Sequence, residues 1–273
     1  MELFGNGTLI LLPIAYTLLV VAYAHRFLGF ESWFARSSRI WLVATVLTHI
    51  SALIVRGITV GSCPIATPWE ATSVVAFSVA LIYWIVELRT NDSTTGVFVL
   101  AIAALLEILA TIFVAGGDTA AGDRLGAFAS VHGFAALFGL SAVSVAGAYG
   151  LLYLFLYTAI KRGWYGTFYR RVAPLDRLGD LNYWAALVAF VALTLTAGLG
   201  YWGSSSDPES PAAFADAGVL LGTSLWLLYA ITVLGRRWLR LGGKRLAYCT
   251  LLGLPVAVAI GVSGLLQRGG FHG

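Results

Sequence analysis

The chain has 273 residues, of which 59% are hydrophobic and 11% charged, with a mean hydropathy of +0.85 and a formal net charge of +4. An ordinary soluble domain carries about 25% charged residues. With under half that share this chain cannot cover a surface in water, which excludes a soluble globular domain and implies a polytopic membrane protein. The pI near 9.2 follows from where the arginines fall along such a chain and gives no support for nucleic-acid binding.

Crossing a bilayer as a helix takes about 20 consecutive apolar residues. Eight such runs occur, at about 8–28, 40–60, 71–88, 97–115, 131–158, 184–203, 217–235 and 246–266. They are continuously apolar instead of alternating, so helices are expected and strands are not. The leader MELFGNG has no basic segment and no small-residue cleavage site follows it, so the first run reads as a retained helix. The expected fold is therefore all-α: one integral-membrane domain over residues 1–273, a bundle of eight transmembrane helices.

Of the 17 Lys and Arg residues, 14 fall after the first, third, fifth and seventh runs. Only Arg56, Arg124 and Arg268 fall on the other side. Lys and Arg accumulate in cytoplasmic loops. These loops are thus expected in the cytoplasm of a bacterial-type cell, the chain in its inner membrane and both termini outside. The stretches 159–183 and 204–216 are too short to fold alone; the first, with KRGWYGTFYRR, is expected along the lipid headgroups. Cys63 and Cys249 fall on opposite faces, too far apart for a disulfide.

The groups that carry chemistry are few. His25 ends the first run beside Arg26 and reads as interfacial. His49 lies near the middle of the second run, where an ionisable side chain is costly and usually functional; a neutral imidazole bonded inside the bundle is the other reading. Glu87 falls at a cytoplasmic helix end, where it can reach water, while Glu107 is mid-span and asks for a partner. Gly198 and Gly200 beside small residues suggest close helix approach. His132 opens the fifth run and His272 follows the eighth, both at the outer face and each beside a glycine. Neutral imidazole binds transition metals and haem iron, so a pair on two helix ends can reach one iron from opposite sides. Two unrelated interfacial histidines would show the same spacing. There is no HExxH, no P-loop, no CxxC and no CxxCH.

Five segments, in order, resemble the cytochrome c assembly family of haem-handling membrane proteins, the CcsA, CcmC and HemX-like proteins. THISALIVRG resembles the helix with the family's membrane-buried histidine, matched by His49. GSCPIATPWEATSVVAFSVALIYWIVE resembles the loop and aromatic-rich helix that follow, with Pro64, Thr67 and Glu70 at the loop positions. VHGFAALFGLSAVSVAGAYGLLYL resembles the helix opened by the first external histidine, His132 here. LDRLGDLNYWAALVAFVALTLTAGLGYWG resembles the next segment, and GVSGLLQRGGFHG the end of the chain with the second external histidine, His272. The likeness runs from about residue 40 to the end.

Two departures point to the HemX-like branch. The tryptophan-rich motif of the CcsA and CcmC proteins is reduced to its aspartate, Asp216, with Phe214 as the one aromatic nearby; this argues against haem attachment by the chain alone. A second membrane-buried histidine, due near Leu234, is missing.

The resemblance implies a non-covalent, b-type haem held by His132 and His272 as axial ligands. Haem would be carried, presented or regulated for cytochrome c maturation, with apocytochrome c or a second membrane subunit as partner. Trp69, Phe134, Phe214 and Phe271 are candidates for the porphyrin slot. Arg124, Arg268 and Arg56 are candidates for the propionates, and His49 for a transient stop for haem moving outward. No catalytic residue is implied, so a non-catalytic subunit of a haem-attachment complex fits. Two alternatives remain at this stage. One is a haem-free transporter or scaffold using Glu107 and His49 as a proton pair. The other is a b-type cytochrome subunit, for which four histidines, one of them cytoplasmic, do not make two ligand pairs at two depths.

Overall fold

The structure, a computed structural model, describes residues 2–61, 63–65, 67–115, 127–205 and 217–268. All regular structure among them is helical: α1 (Glu2–Phe27), α2 (Trp33–Arg36), α3 (Ser38–Val60), α4 (Pro68–Thr90), α5 (Gly96–Ala115), α6 (Ala127–Lys161), α7 (Thr167–Arg171), α8 (Leu175–Ser205), α9 (Ala217–Trp238) and α10 (Gly243–Arg268). Six are long and apolar enough to cross a membrane, namely α3, α4, α6, α8, α9 and α10. In α1 and α5 the described apolar stretches, Leu11–Phe27 and Gly96–Ile112, are shorter. Ile40, Ile58, Leu195 and Val258, which a soluble protein would bury, are more than half exposed on the outside of the bundle, as a lipid-facing surface requires.

Each expected apolar run coincides with one long helix, but the ends differ in places. α8 starts at Leu175, well before the expected 184, because Pro174 opens it: its carbonyl accepts the first helical bond, from the Leu178 N–H at 3.0 Å, and a proline suits a helix start. A polar, charged turn therefore extends the apolar span. The basic segment before it contains the single turn α7. The α3–α4 connection is sharply defined. Gly61 ends α3 with φ 71°, a left-handed conformation open to glycine. Thr67 then caps α4 in a capping box with Glu70, and Pro68 occupies the first turn. Asn91, at φ 55°, closes α4 at its other end.

α6 is the spine of one half of the bundle. At 35 residues it runs about 50 Å, packing on α8 along most of its length and on α10 and α4 as well. Missing side chains make these approaches possible. A Cβ at Gly150 would stand 2.8 Å from the Ala247 carbonyl oxygen of α10, and one at Gly147 would run into Leu254. Against α8, Gly139 meets Leu193, Gly200 meets His132 and Gly203 meets Phe128. Gly198, which the sequence marks for close packing, has nothing within 4 Å.

In the other half, α1 packs on α3 and α5, and α4 on α5. Leu12, Tyr16, Leu19 and Tyr23 are all buried, at the three- and four-residue spacing of one helix face.

The helix ends bearing the 14 basic residues are tied together at one end of the bundle. Arg39 of α3 donates to Glu87 at 2.8 Å and to Asn91 at 2.6 Å, and Tyr23 of α1 donates to Glu87 at 2.5 Å. Arg171 donates to the Phe27 carbonyl at the end of α1. Arg236 of α9 holds the Gly179 carbonyl and Asp180 of α8 and lies over the Tyr183 ring. Glu87 corrects the expectation from sequence: it is 2% exposed and does not reach water, because Tyr23 and Arg39 supply its donors. Cys63 and Cys249 are both free, as expected.

Gly96, at the start of α5, lies against the Tyr23 ring and the Tyr83 hydroxyl, so a Cβ there would overlap both. Gly96→Ala should destabilise the bundle by about 1–3 kcal/mol, the usual cost of overpacking, read as a lowered midpoint of denaturation in detergent.

Candidate functional site

Two regions hold the chemistry that the sequence singles out. The first lies in the middle of the bundle, around His49. Its ring is fully buried, meeting the ring of Tyr16 edge-on with centroids 5.7 Å apart and that of Phe77 at 5.3 Å. Nδ1 lies 3.0 Å from the Tyr16 hydroxyl, and Nε2 lies 3.2 Å from the Ser73 hydroxyl. Ser73 donates to Glu107 Oε2 at 2.8 Å, and Thr111 reaches Glu107 Oε1 at 3.5 Å. Four helices contribute: Tyr16 from α1, His49 from α3, Ser73 from α4 and Glu107 from α5.

With Glu107 ionised, the bond directions fix one tautomer. Ser73 has one hydroxyl proton and gives it to Glu107, so its oxygen accepts from Nε2–H, and Nδ1 accepts from the Tyr16 hydroxyl. Glu107 thus has the partner its depth demanded. Both nitrogens of His49 are engaged, and its ring as arranged has no lone pair left for a metal.

The second region is the opposite end of the bundle from the basic cluster. Glu70, 6% exposed, closes the capping box with Thr67 and pairs with Arg56 at 3.0 Å. Arg56 is therefore committed to Glu70. The Thr-x-x-Glu spacing that forms this box is a sequence signature of a helix start, so a structural role for Glu70 was readable without coordinates. Pro64 sits in the half-buried turn before α4, next to the buried Ile65, whose Cδ1 would lie 2.9 Å from a Cβ at Gly133 of α6. Burial and the charge of Glu70 push the Cys63 thiol up from its ordinary value, which disfavours the thiolate that redox chemistry or metal binding would need.

His132 stands one residue before that contact, on the second turn of α6. Its ring lies against Gly200 of α8, where a Cβ would come within 3.2 Å of Cε1. Nδ1 is buried and has no hydrogen-bond partner, and neither ring nitrogen bonds another described residue. The ring is held by packing, and among the described residues its nitrogens have no partner. The His49 nitrogens, by contrast, are both engaged. Phe134 is partly buried and packs on the core, and Trp69 is half-buried on the first turn of α4.

Arg124, Asp216 and His272 lie outside the described residues, as do Phe214 and Phe271 and the side chain of Arg268, with which α10 ends. Sequence reasoning missed Tyr16 and Ser73. The signal for Tyr16 was present: a tyrosine on an apolar helix points its hydroxyl at a partner when it faces inward. Ser73 carried no such signal.

Comparison of the chain with protein-family models and with curated proteins found no match.

Tyr16→Phe removes the donor to Nδ1 and leaves a buried acceptor unpaired. It should cost about 1–3 kcal/mol of stability, measurable by denaturation in detergent against wild type.

Proposed function

We propose that the chain is a haem-handling protein of a bacterial-type inner membrane. It carries, presents or regulates haem for cytochrome c maturation at the outer face. In this reading all eight long helices cross the bilayer, the basic end of the bundle faces the cytoplasm and both termini lie outside. The observation that carries the reading is His132: an imidazole at the far end from the basic cluster, seated on a glycine, with both nitrogens free of described partners. The order of the five family-like segments supports it.

His132 supplies one axial ligand and His272 the other. A bis-imidazole iron has its coordination filled, which restrains oxygen chemistry while haem awaits its acceptor. The packing against Gly200 fixes the His132 ring before any ligand arrives. Trp69 and Phe134 offer apolar and aromatic surface. Arg268 and Arg124 remain for the propionates, since Arg56 is engaged by Glu70, and Asp216 lies on the same outer side. His49, with both nitrogens occupied, is left out of the haem site. The chain acts with apocytochrome c or a second membrane subunit as its partner.

A second reading, a haem-free transporter or scaffold, is favoured by one observation: Nε2 of His49 and Oε2 of Glu107 stand 3.8 Å apart within one buried network.

The test is an absorption spectrum of the purified protein, oxidised and reduced, beside His132→Ala and His272→Ala. Wild type should show low-spin bis-imidazole haem, each single substitution should convert or abolish it, and His49→Gln should keep it. A wild type that takes up no haem, even when haem is added back, would sink the proposal.

A further inference from the structure

Three glutamates are buried among the described residues of this bundle, and two of them hold an arginine. Glu70 pairs with Arg56 at 3.0 Å and Glu87 with Arg39 at 2.8 Å. Glu107, 2% exposed, has no Lys or Arg pair among the described residues. A carboxylate in an apolar interior without a cation is held at high cost. That cost is relieved when the group can take a proton, and the neighbours of Glu107 are arranged to deliver one.

We infer that Tyr16, His49, Ser73 and Glu107 form a proton relay, with the Glu107 carboxyl as a buried proton-binding site. This does not rest on the haem reading. The links measure 3.0, 3.2 and 2.8 Å, all within hydrogen-bond distance. With Glu107 ionised, the donors run one way, from Tyr16 to His49 to Ser73 to Glu107. A proton that reaches the buried Tyr16 oxygen displaces the phenol proton to Nδ1. The Nε2 proton passes to Ser73, and the Ser73 proton to Oε2 of Glu107. One proton enters, each group passes one on, and the chain ends with one more proton, carried by Glu107.

Every bond has then reversed: Glu107 donates to Ser73, Ser73 to Nε2, and Nδ1–H to Tyr16. The imidazole has exchanged tautomers with no heavy atom displaced, and the reverse sequence releases the proton. Because the members sit on α1, α3, α4 and α5, the loaded and unloaded states are felt by four helices at once. Among the described residues, the ionisable groups near Glu107 are Tyr16 from α1 and His49 from α3, while α4 presents the hydroxyl of Ser73. The Arg56–Glu70 pair lies further out, seven residues beyond His49 on α3 and three before Ser73 on α4.

The test uses the full chain in detergent, with ring-labelled nitrogen-15 histidine and infrared difference spectra between mildly alkaline and mildly acidic solution. His49 is assigned by the signal lost in His49→Gln. The expected result is a titrating carboxyl band that disappears in Glu107→Gln. Over the same pH range His49 should switch from the Nε2–H to the Nδ1–H tautomer. Ser73→Ala, a mild change readable even if Glu107→Gln does not fold, should abolish the switch and leave the carboxyl band. A His49 tautomer that stays constant while Glu107 titrates overturns the relay, as does a switch that survives Ser73→Ala or a carboxyl band that survives Glu107→Gln. None of these readouts needs haem, so failure of the haem proposal and failure of the relay are separate results.

Discussion

A carboxyl group inside a bundle this apolar has to be held by donors from other helices. Water is not at hand, and an unpartnered polar group costs several kcal/mol in hydrocarbon. Half of the structure is organised by that demand. Glu87 on α4 draws in Tyr23 from α1 and Arg39 from α3. Glu107 on α5 draws in Ser73 from α4, and through it His49 and Tyr16. Two buried acids, one near the basic end and one at mid-depth, thereby fix how α1, α3, α4 and α5 sit against each other. Apolar packing alone would leave their rotation about their axes poorly specified, since one greasy face is much like another in lipid.

Among the described residues, the other half has no charged side chain in its core. α6, α8 and α10 meet where glycines let one helix press against another, while Tyr229 of α9 donates to the Val143 and Thr250 carbonyls of α6 and α10. Gly147 and Gly150 admit α10, while Gly139, Gly200 and Gly203 join α6 to α8. The same device that packs α8 on α6 also seats His132. The ring fills the space that a side chain on residue 200 would take, so van der Waals contact positions it, and no described residue bonds its nitrogens. His49, by contrast, is positioned by hydrogen bonds that use its nitrogens up. Two histidines in one chain thus have opposite chemistry available, for reasons visible in their surroundings.

His132 and the Tyr16–His49–Ser73–Glu107 chain lie on different halves and at different depths. His132 sits at the end of the α6–α8 pair away from the basic cluster, and the hydrogen-bonded chain in the middle of the four-helix cluster. They are separable in experiment, since neither shares a residue with the other. The loop between α3 and α4 touches both halves: Ile65 packs over Gly133, next to His132, and the α3 and α4 it joins carry His49 and Ser73.

Much of the fold was legible in the sequence. Continuous apolar runs leave a helix little alternative in a bilayer, so each run became one helix. The Thr67–Glu70 box, the need of Glu107 for a partner and the absence of a disulfide were likewise local matters of spacing and composition. The start of α8 was less legible, because a helix extends past its apolar segment whenever a residue such as Pro174 opens it earlier. Which glycines carry close contacts was not legible at all: Gly198 and Gly200 look alike in the chain, and only Gly200 meets a ring. The burial of Glu87, the Tyr16–His49–Ser73–Glu107 chain and the contrast between the two histidines were decided by tertiary structure. Each depends on how a helix is rotated about its axis relative to partners distant in sequence. The periodicity of a nearly uniform apolar helix does not encode that rotation, whereas polar contacts and missing side chains between helices do.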